Sequence, residues 1–158
     1  MFDPADRRKQ ILYKAVAALA RRERSRLGLY KKLSETFNEE GDKELINSVL
    51  DELVSKKYLS DERYARIQVL TRSARYGDRK LFWNLQRDGV SREIAEEALK
   101  QNEAEEYDRA LVLWKRKFGE PPEDYKERAK QIRFLASRGF TFKTIEKVLS
   151  CELPDEVF

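Results

Sequence analysis

The hydrophobic positions along the chain recur every three or four residues, which is the spacing of one face of an α-helix. Leu29, Leu33 and Phe37 show this spacing early in the chain, and Leu81 and Leu85 show it near the middle. No segment alternates apolar and polar residues as a half-buried strand would. The pattern therefore predicts an all-α protein, with helices at roughly 8–22, 25–38, 42–57, 60–75, 78–88, 91–102, 104–118, 123–138 and 141–151.

Two phrases of this pattern nearly repeat each other. They are RDGVSREIAEEAL at residues 87–99 and SRGFTFKTIEKVL at residues 137–149. In each, a glycine can end one helix in the left-handed conformation, and the apolar residue after it packs inward. Ser91 or Thr141 then follows, and either hydroxyl can cap the next helix by accepting hydrogen bonds from its free amides.

A looser copy of this phrase lies in the N-terminal third, where Gly41-Asp42 precedes an apolar stripe that begins at Leu45. A period of about fifty residues is typical of repeat proteins. We therefore predict three tandem three-helix repeats, at 1–58, 59–103 and 104–158, stacked as an elongated, curved array. A single compact helical bundle with accidental internal similarity is the alternative.

Charge is segregated along the chain, although the net charge is only +4. Residues 7–32 carry ten basic groups and one acid, Glu23, whereas residues 33–62 carry nine acids and three basic groups. The next thirty residues are again basic, and residues 93–108 are again acidic. Segregated charge favours binding to a phosphate backbone or to an acidic protein groove. For any single basic residue, a solvated helix surface with Glu–Lys pairs is the competing interpretation.

The composition argues against catalysis. The chain has no histidine, its only cysteine is Cys151, and its six glycines never cluster into a phosphate-binding loop. The run Glu93, Glu96 and Glu97 fits a helix N-terminus better than a metal site. We therefore expect no catalytic residue, no metal and no cofactor. Lacking a signal-peptide or transmembrane pattern, the chain is expected to be cytoplasmic.

The two tryptophans have different predicted environments. Trp114 lies in an apolar run of helical period and is predicted to be a core residue. Trp83 lies one position off the Leu81–Leu85 stripe. It is therefore either packed at a repeat junction or exposed as a platform on which a base could stack.

Four longer phrases together resemble the RecX family, regulators of the RecA recombinase. They are ALARRERSRLGLYKKL (18–33), KYLSDERYA (57–65), RYGDRKLFWNLQRDGV (75–90) and KFGEPPEDYKERAKQIRFLASRGF (117–140). The family commonly has a glycine before Tyr-Leu and two acids after it, whereas this chain has Lys57 and Ser60-Asp61 there. Ser25, Asp61, Gly77, Gly139 and Phe140 match family motifs but fit cap, turn or core positions better than contact positions.

The resemblance implies a curved array of three three-helix repeats that lies in the groove of the RecA filament on single-stranded DNA. A monomer that inhibits recombinase, ATPase and coprotease activity and so regulates DNA repair and the SOS response is expected, with weak direct DNA binding possible in addition. The basic residues expected to face RecA or DNA are Arg21, Arg22, Arg24, Arg26, Lys31, Lys32, Arg63, Arg66, Arg75, Arg79, Lys80, Arg87, Lys130, Arg133 and Arg138.

Two competing hypotheses stay open at this point. The first is an autonomous DNA-binding protein that acts without RecA, since a three-helix unit can present a recognition helix. The second is a structural scaffold for an unrelated acidic partner. Steep salt dependence of DNA binding without RecA would favour the first of these.

Overall fold

The computed structural model describes residues 3–102 and 105–150, and over these residues the chain forms nine α-helices and no β-strand. The prediction of an all-α protein is confirmed, and the helix bounds agree to within four residues wherever both ends are described. The helices are α1 (Pro4–Arg21), α2 (Arg26–Thr36), α3 (Asp42–Ser55), α4 (Asp61–Arg72), α5 (Asp78–Arg87), α6 (Arg92–Lys100), α7 (Glu106–Lys117), α8 (Tyr125–Ser137) and α9 (Phe142–Leu149). Cys151 lies outside the described residues.

The first helix begins four residues earlier than its apolar pattern indicates. The Asp3 side chain accepts a hydrogen bond from the Ala5 amide, and Pro4 occupies the first helical position. Proline fits there because its missing N–H has no partner in the first turn and its φ is already helical. This capped turn is polar, so the hydrophobic period alone could not predict it.

The chain divides into two compact units. The first comprises the residues up to Ile67 together with Leu85–Ala98. In it, α1, α2 and α3 pack on one another through a core that includes Ile11, Leu33 and Leu50, all fully buried. Burial of each such side chain contributes roughly 1.5–3 kcal/mol, which stabilises the three short helices against one another.

The second unit comprises Gln68–Asn84 together with the described residues from Leu99 onward. Helices α7, α8 and α9 enclose Trp114, Leu135 and Phe140, each at most 2% exposed. The indole N–H of Trp114 donates to Oε1 of the buried Gln131 at 2.8 Å, so its polar atom is satisfied inside the core. The prediction that Trp114 is a core residue is confirmed.

The repeated phrase has the predicted local structure in both copies. Gly89 and Gly139 end α5 and α8 with φ of 84° and 85°, and the apolar residues that follow them are buried. The amide of Ile94 donates to the Ser91 hydroxyl, and the amide of Thr144 donates to the Thr141 hydroxyl. The bounds 1–58, 59–103 and 104–158 of the three repeats remain a prediction.

Candidate binding surfaces

The N-terminus of α2 is held by a carboxylate and a backbone carbonyl from farther along the chain. The amide of Arg26, the first residue of α2, donates to Oδ1 of Asp61 at 2.8 Å. Ser25 caps α2 by accepting from the Gly28 amide, and its hydroxyl donates to the Asp88 carbonyl at 2.7 Å. Within the first unit, these bonds fix the backbone of the basic segment 22–26.

The N-terminus of α5 is held in the same way within the second unit. The amide of Asp78, the first residue of α5, donates to Oε2 of Glu106 at 2.9 Å, and Glu106 begins α7 as Asp61 begins α4. The Gly77 amide donates to the Arg138 carbonyl at 2.9 Å. In both units, therefore, the second helix of one repeat begins with hydrogen bonds to a carboxylate and to a backbone carbonyl of the next repeat.

Glycines allow these close approaches. A Cβ built on Gly89 would lie 2.5 Å from the Cβ of Leu27, and one built on Gly139 would lie 2.2 Å from the Cβ of Lys80. A Cβ on Gly77 would lie 2.4 Å from the Cα of Phe140. The prediction that Gly77, Gly139 and Phe140 hold turn or core positions is confirmed. It is also confirmed for Ser25, which caps α2, and for Asp61, which binds the first amide of α2.

The contact between Glu106 and the start of α5 also shifts the pKa of two carboxyl groups, those of Glu106 and Asp78. Burial alone would raise the pKa of Glu106, but hydrogen bonds from Thr141, Thr144 and the Asp78 amide hold that pKa below its ordinary value. Burial and the charge of Glu106 raise the pKa of Asp78, although the Arg109 guanidinium pairs with it. Arg109 is itself buried and donates to the carbonyls of Ser73 and Tyr76. These groups hold the fold, and Glu106 was not among the residues predicted from the sequence.

The basic segment between α1 and α2 contains both paired and unpaired cations. Arg26 forms an ion pair with Asp51 at 2.8 Å, and the Nε of Arg24 donates to the Ala18 carbonyl at 3.4 Å. Partial burial and the positive charges of Arg22 and Arg21 lower the pKa of Arg24. Positive charge is therefore concentrated here.

Four basic residues of this region have no ion-pair partner among the described residues: Arg21, Arg22, Lys31 and Lys32. We call them the N-terminal basic residues. Arg21, Arg22 and Lys31 are exposed, and Lys32 is half-buried. Glu23, the only acid in the segment 7–32, does not neutralise them because it pairs with Arg63. These cations therefore remain available to a partner.

Arg63 has a different environment from the other predicted contact residues. Its Nε donates to Glu23 at 2.6 Å, and its terminal nitrogens donate to the carbonyls of Lys57 and Tyr58, both at 3.0 Å. The whole guanidinium is thus engaged inside the first unit. Its place among the residues facing RecA or DNA stays a prediction.

In the second unit, the segment 68–84 exposes three arginines and a tryptophan. Arg72 ends α4, Arg75 follows it, and Arg79 and Trp83 lie on α5 one helical turn apart. Trp83 is 60% exposed, so the alternative of a buried junction residue is excluded. We call these four residues the arginine–tryptophan segment. Lys80 is half-buried, with its ammonium 4.5 Å from the centre of the Tyr76 ring.

The remaining predicted basic residues lie on other helices. Lys130 and Arg133 are exposed on α8, one turn apart, and the half-buried Arg138 ends this helix with its guanidinium 5.5 Å from the Phe134 ring. Arg66 on α4 and Arg87 on α5 are exposed in the first unit.

The described residues contain no group of three or more Cys, Asp, Glu or His side chains that could hold a metal ion. None of the described helices is both long and apolar enough to cross a membrane. The described surface thus carries exposed cationic side chains and several exposed aromatic rings, among them Trp83. Fold and surface together define the class of protein: an all-α protein of tandem three-helix repeats with exposed basic surfaces.

Comparison with known proteins identifies the family. Residues 60–99 match the family model of the RecX second three-helix domain, and residues 104–149 match that of the RecX third three-helix domain. "Regulatory protein RecX" of Leptothrix cholodnii is 38% identical over 147 residues, which cover 92% of both chains. The protein of the same name from Ralstonia nicotianae is 35% identical over 86% of this chain and 84% of its own. The chain belongs to the RecX family.

The crystal structure of RecX from Lactobacillus salivarius has the same fold, with a TM-score of 0.76 at 22% identity, covering 92% of this chain and 96% of that chain. The tandem domain matches and this fold establish an all-α repeat protein instead of a bundle with accidental similarity. The curated relatives are named regulatory proteins, in agreement with the resemblance noted from the sequence.

Proposed function

We propose that this protein is a non-enzymatic regulator that binds the RecA filament on single-stranded DNA and inhibits its recombinase, ATPase and coprotease activities. One observation carries the proposal: this member of the RecX family exposes basic residues, Arg21 and Arg22 foremost, that form no ion pair with any acid the structure describes. Through this activity the protein would regulate DNA repair in the cytoplasm, and it would act as a monomer.

The proposed mechanism is steric and electrostatic. Exposed cations favour an anionic partner and accelerate its encounter through long-range attraction. A filament offers such a partner in its DNA phosphates and in acidic protein surfaces. A body that spans adjacent RecA protomers would hinder the movement that couples ATP turnover to DNA handling. One bound copy would then affect several protomers, so inhibition is expected far below one copy per RecA.

RecA ATP hydrolysis on single-stranded DNA, measured with this protein at low stoichiometry, tests the proposal. The test variant is Arg21→Ala/Arg22→Ala, which leaves the internally bonded Arg24 and Arg26 intact. The matched control is Lys9→Ala/Lys43→Ala, which removes two exposed charges of the same sign from the same unit. Both variants have the same net charge, so an effect confined to the first one reports position and not total charge.

We expect the wild type and the control to inhibit, and the test variant to inhibit weakly, with unchanged helical circular dichroism for all three. A wild type without effect, even in excess at low salt, would refute the proposal. An autonomous DNA-binding protein is the second candidate, and the exposed Trp83 beside Arg79 favours it. It predicts DNA affinity of steep salt dependence and no dependence of function on RecA.

A further inference from the structure

We propose that Trp83 and Arg79 bind single-stranded nucleic acid directly, with a base stacked on the indole and a phosphate held by Arg79, in a segment that also exposes Arg72 and Arg75. This proposal deepens the proposed function and rests on it, because the strand would be the one that RecA coats. The site lies entirely within the second unit.

The exposure of Trp83 is the first observation. With 60% of its surface accessible, it leaves a large apolar ring in water, whereas the chain's other tryptophan, Trp114, is 1% exposed. Phe82 contacts the indole edge to face, with ring centroids 5.8 Å apart and planes at 75°, which restricts the orientation of the ring. An exposed, oriented aromatic ring is the platform on which unpaired bases stack in proteins that bind single strands.

The position of Arg79 is the second observation. Residues four apart lie on the same face of a helix, so Arg79 is the neighbour of Trp83 one turn toward the N-terminus of α5. That distance along the helix axis is about 6 Å. A strand whose base stacks on Trp83 therefore brings its phosphates within reach of a long arginine side chain, which can bind phosphate oxygens with two hydrogen bonds.

The absence of neutralising acids is the third observation. Arg72, Arg75 and Arg79 are exposed, and none of them forms an ion pair with any described residue. The only acid in the segment 68–84 is Asp78, and the buried Arg109 binds it. Positive charge without counter-charge, beside an aromatic ring, is complementary to a polynucleotide.

A protein partner would use such a tryptophan differently. Tryptophans that anchor protein interfaces fill dry pockets and are surrounded by contacts that exclude water. The helix neighbours of Trp83 on its exposed side are polar: Arg79 one turn before it, and the half-buried Lys80 and Asn84. These neighbours suit a solvated phosphate backbone better than an apolar protein pocket, and we therefore infer nucleic acid.

Intrinsic tryptophan fluorescence tests the proposal, because the two tryptophans are so unequally exposed. Titration of the wild type with a short oligothymidylate, in the absence of RecA and at low salt, should quench the exposed Trp83 and leave the buried Trp114 unchanged. The variant Trp83→Phe should lose this signal but keep most of its affinity, since it retains an aromatic ring. Affinity is measured for every variant by the anisotropy of a labelled oligothymidylate.

Two further variants test the two components of the site. Trp83→Ala should lose affinity by about tenfold to a hundredfold, the usual contribution of one stacked base. Arg79→Ala should weaken binding and lower the steepness of its salt dependence, because one phosphate contact is lost. The matched control is Arg116→Ala, which removes an exposed arginine of the second unit on α7 and should bind as the wild type does.

Three outcomes would overturn the proposal: no quenching of the wild type, unchanged affinity of Trp83→Ala, or a Trp83→Ala variant that loses only RecA inhibition. The last result would assign the surface to a protein contact. The RecA ATPase assay separates this proposal from the proposed function. Inhibition without quenching would refute the stacking site alone, and quenching without inhibition would refute the proposed function alone.

Discussion

Lys57 allows a direct test of the physical argument for the helix ends. It has φ of 64° and is the only described residue other than glycine with positive φ. Its amide donates to the Val54 carbonyl and the Tyr58 amide donates to the Leu53 carbonyl, the two bonds of a helix end that usually has glycine at this position. We predict that Lys57→Gly stabilises the protein.

The magnitude follows from two opposing terms. A left-handed conformation costs a residue with a Cβ about 1–2 kcal/mol, and glycine removes that cost. Glycine also makes the unfolded chain more flexible, which offsets about 0.4–1 kcal/mol of the gain. The expected net gain is about 0.5–1 kcal/mol, or about 1–4 °C in Tm for a chain of this size. At residues 57 and 58, Arg63 binds backbone carbonyls and no side chain, so glycine at position 57 keeps these bonds.

Urea unfolding followed by circular dichroism measures this gain. Lys57→Ala is the first control, because it removes the charge and the stem but keeps the Cβ, and it should change stability little. Gly41→Ala is the second, since Gly41 has φ of 87° and its added Cβ would meet nothing within 4 Å. This control should lose about 0.5–1 kcal/mol. A Lys57→Gly variant no more stable than Lys57→Ala would refute the reasoning.

Three further predictions concern buried contacts, each checked by thermal or urea unfolding. Gly139→Ala should destabilise by more than Gly41→Ala, because its Cβ would overlap Lys80 as well as strain the backbone; equal losses would contradict this. Glu106→Ala should lower the free energy of unfolding by about 2–3 kcal/mol, because the Asp78 and Thr141 amides would lose their hydrogen-bond acceptor. An unchanged urea midpoint would contradict this role of Glu106. Hydrogen bonding to the Arg7 guanidinium holds the pKa of Asp42 below its ordinary value. The stabilisation from this ion pair is fully present above about pH 4, the ordinary pKa of an aspartate, and is lost as the pH falls through the lower pKa of Asp42 in the folded protein. The Tm advantage of the wild type over Asp42→Asn should therefore shrink in acid.

The sequence predicted the helices because their signals are local. Helical spacing of apolar residues, glycine at helix ends and hydroxyl caps all act within one or two turns, and the phrase around Gly139 carries all three. The early start of α1 was missed because Asp3 and Pro4 carry no hydrophobic signal. Local physics thus determines where helices lie, and the errors occur at polar ends.

The contacts that hold α2 and α5 were less accessible to sequence reasoning. Asp61 and Glu106 have the same role, but they are 45 residues apart, whereas the matched glycines Gly89 and Gly139 are 50 apart. The second helix has 10 residues in α5 but 13 in α8, and the connection before it also differs in length, so no alignment at a fixed period brings the two acids together. Only the hydrogen bonds to the first amides of α2 and α5 show that these acids are equivalent.

The sequence alone also does not show which arginines are bound by distant acids, and this determines how the basic surfaces should be tested. A count of charges treats Arg63 and Arg79 alike, because both lie in basic, helical sequence with an acid nearby. Arg63 is bound by Glu23, forty residues away, whereas no described acid binds Arg79. Removal of Arg63 would therefore disturb the fold as well as any binding. A loss of activity in an Arg63 variant would not show that Arg63 contacts a partner. The Arg79 side chain forms no bond with the part of the chain that the structure describes, so an effect of its removal on nucleic acid or on RecA can be attributed to the surface itself.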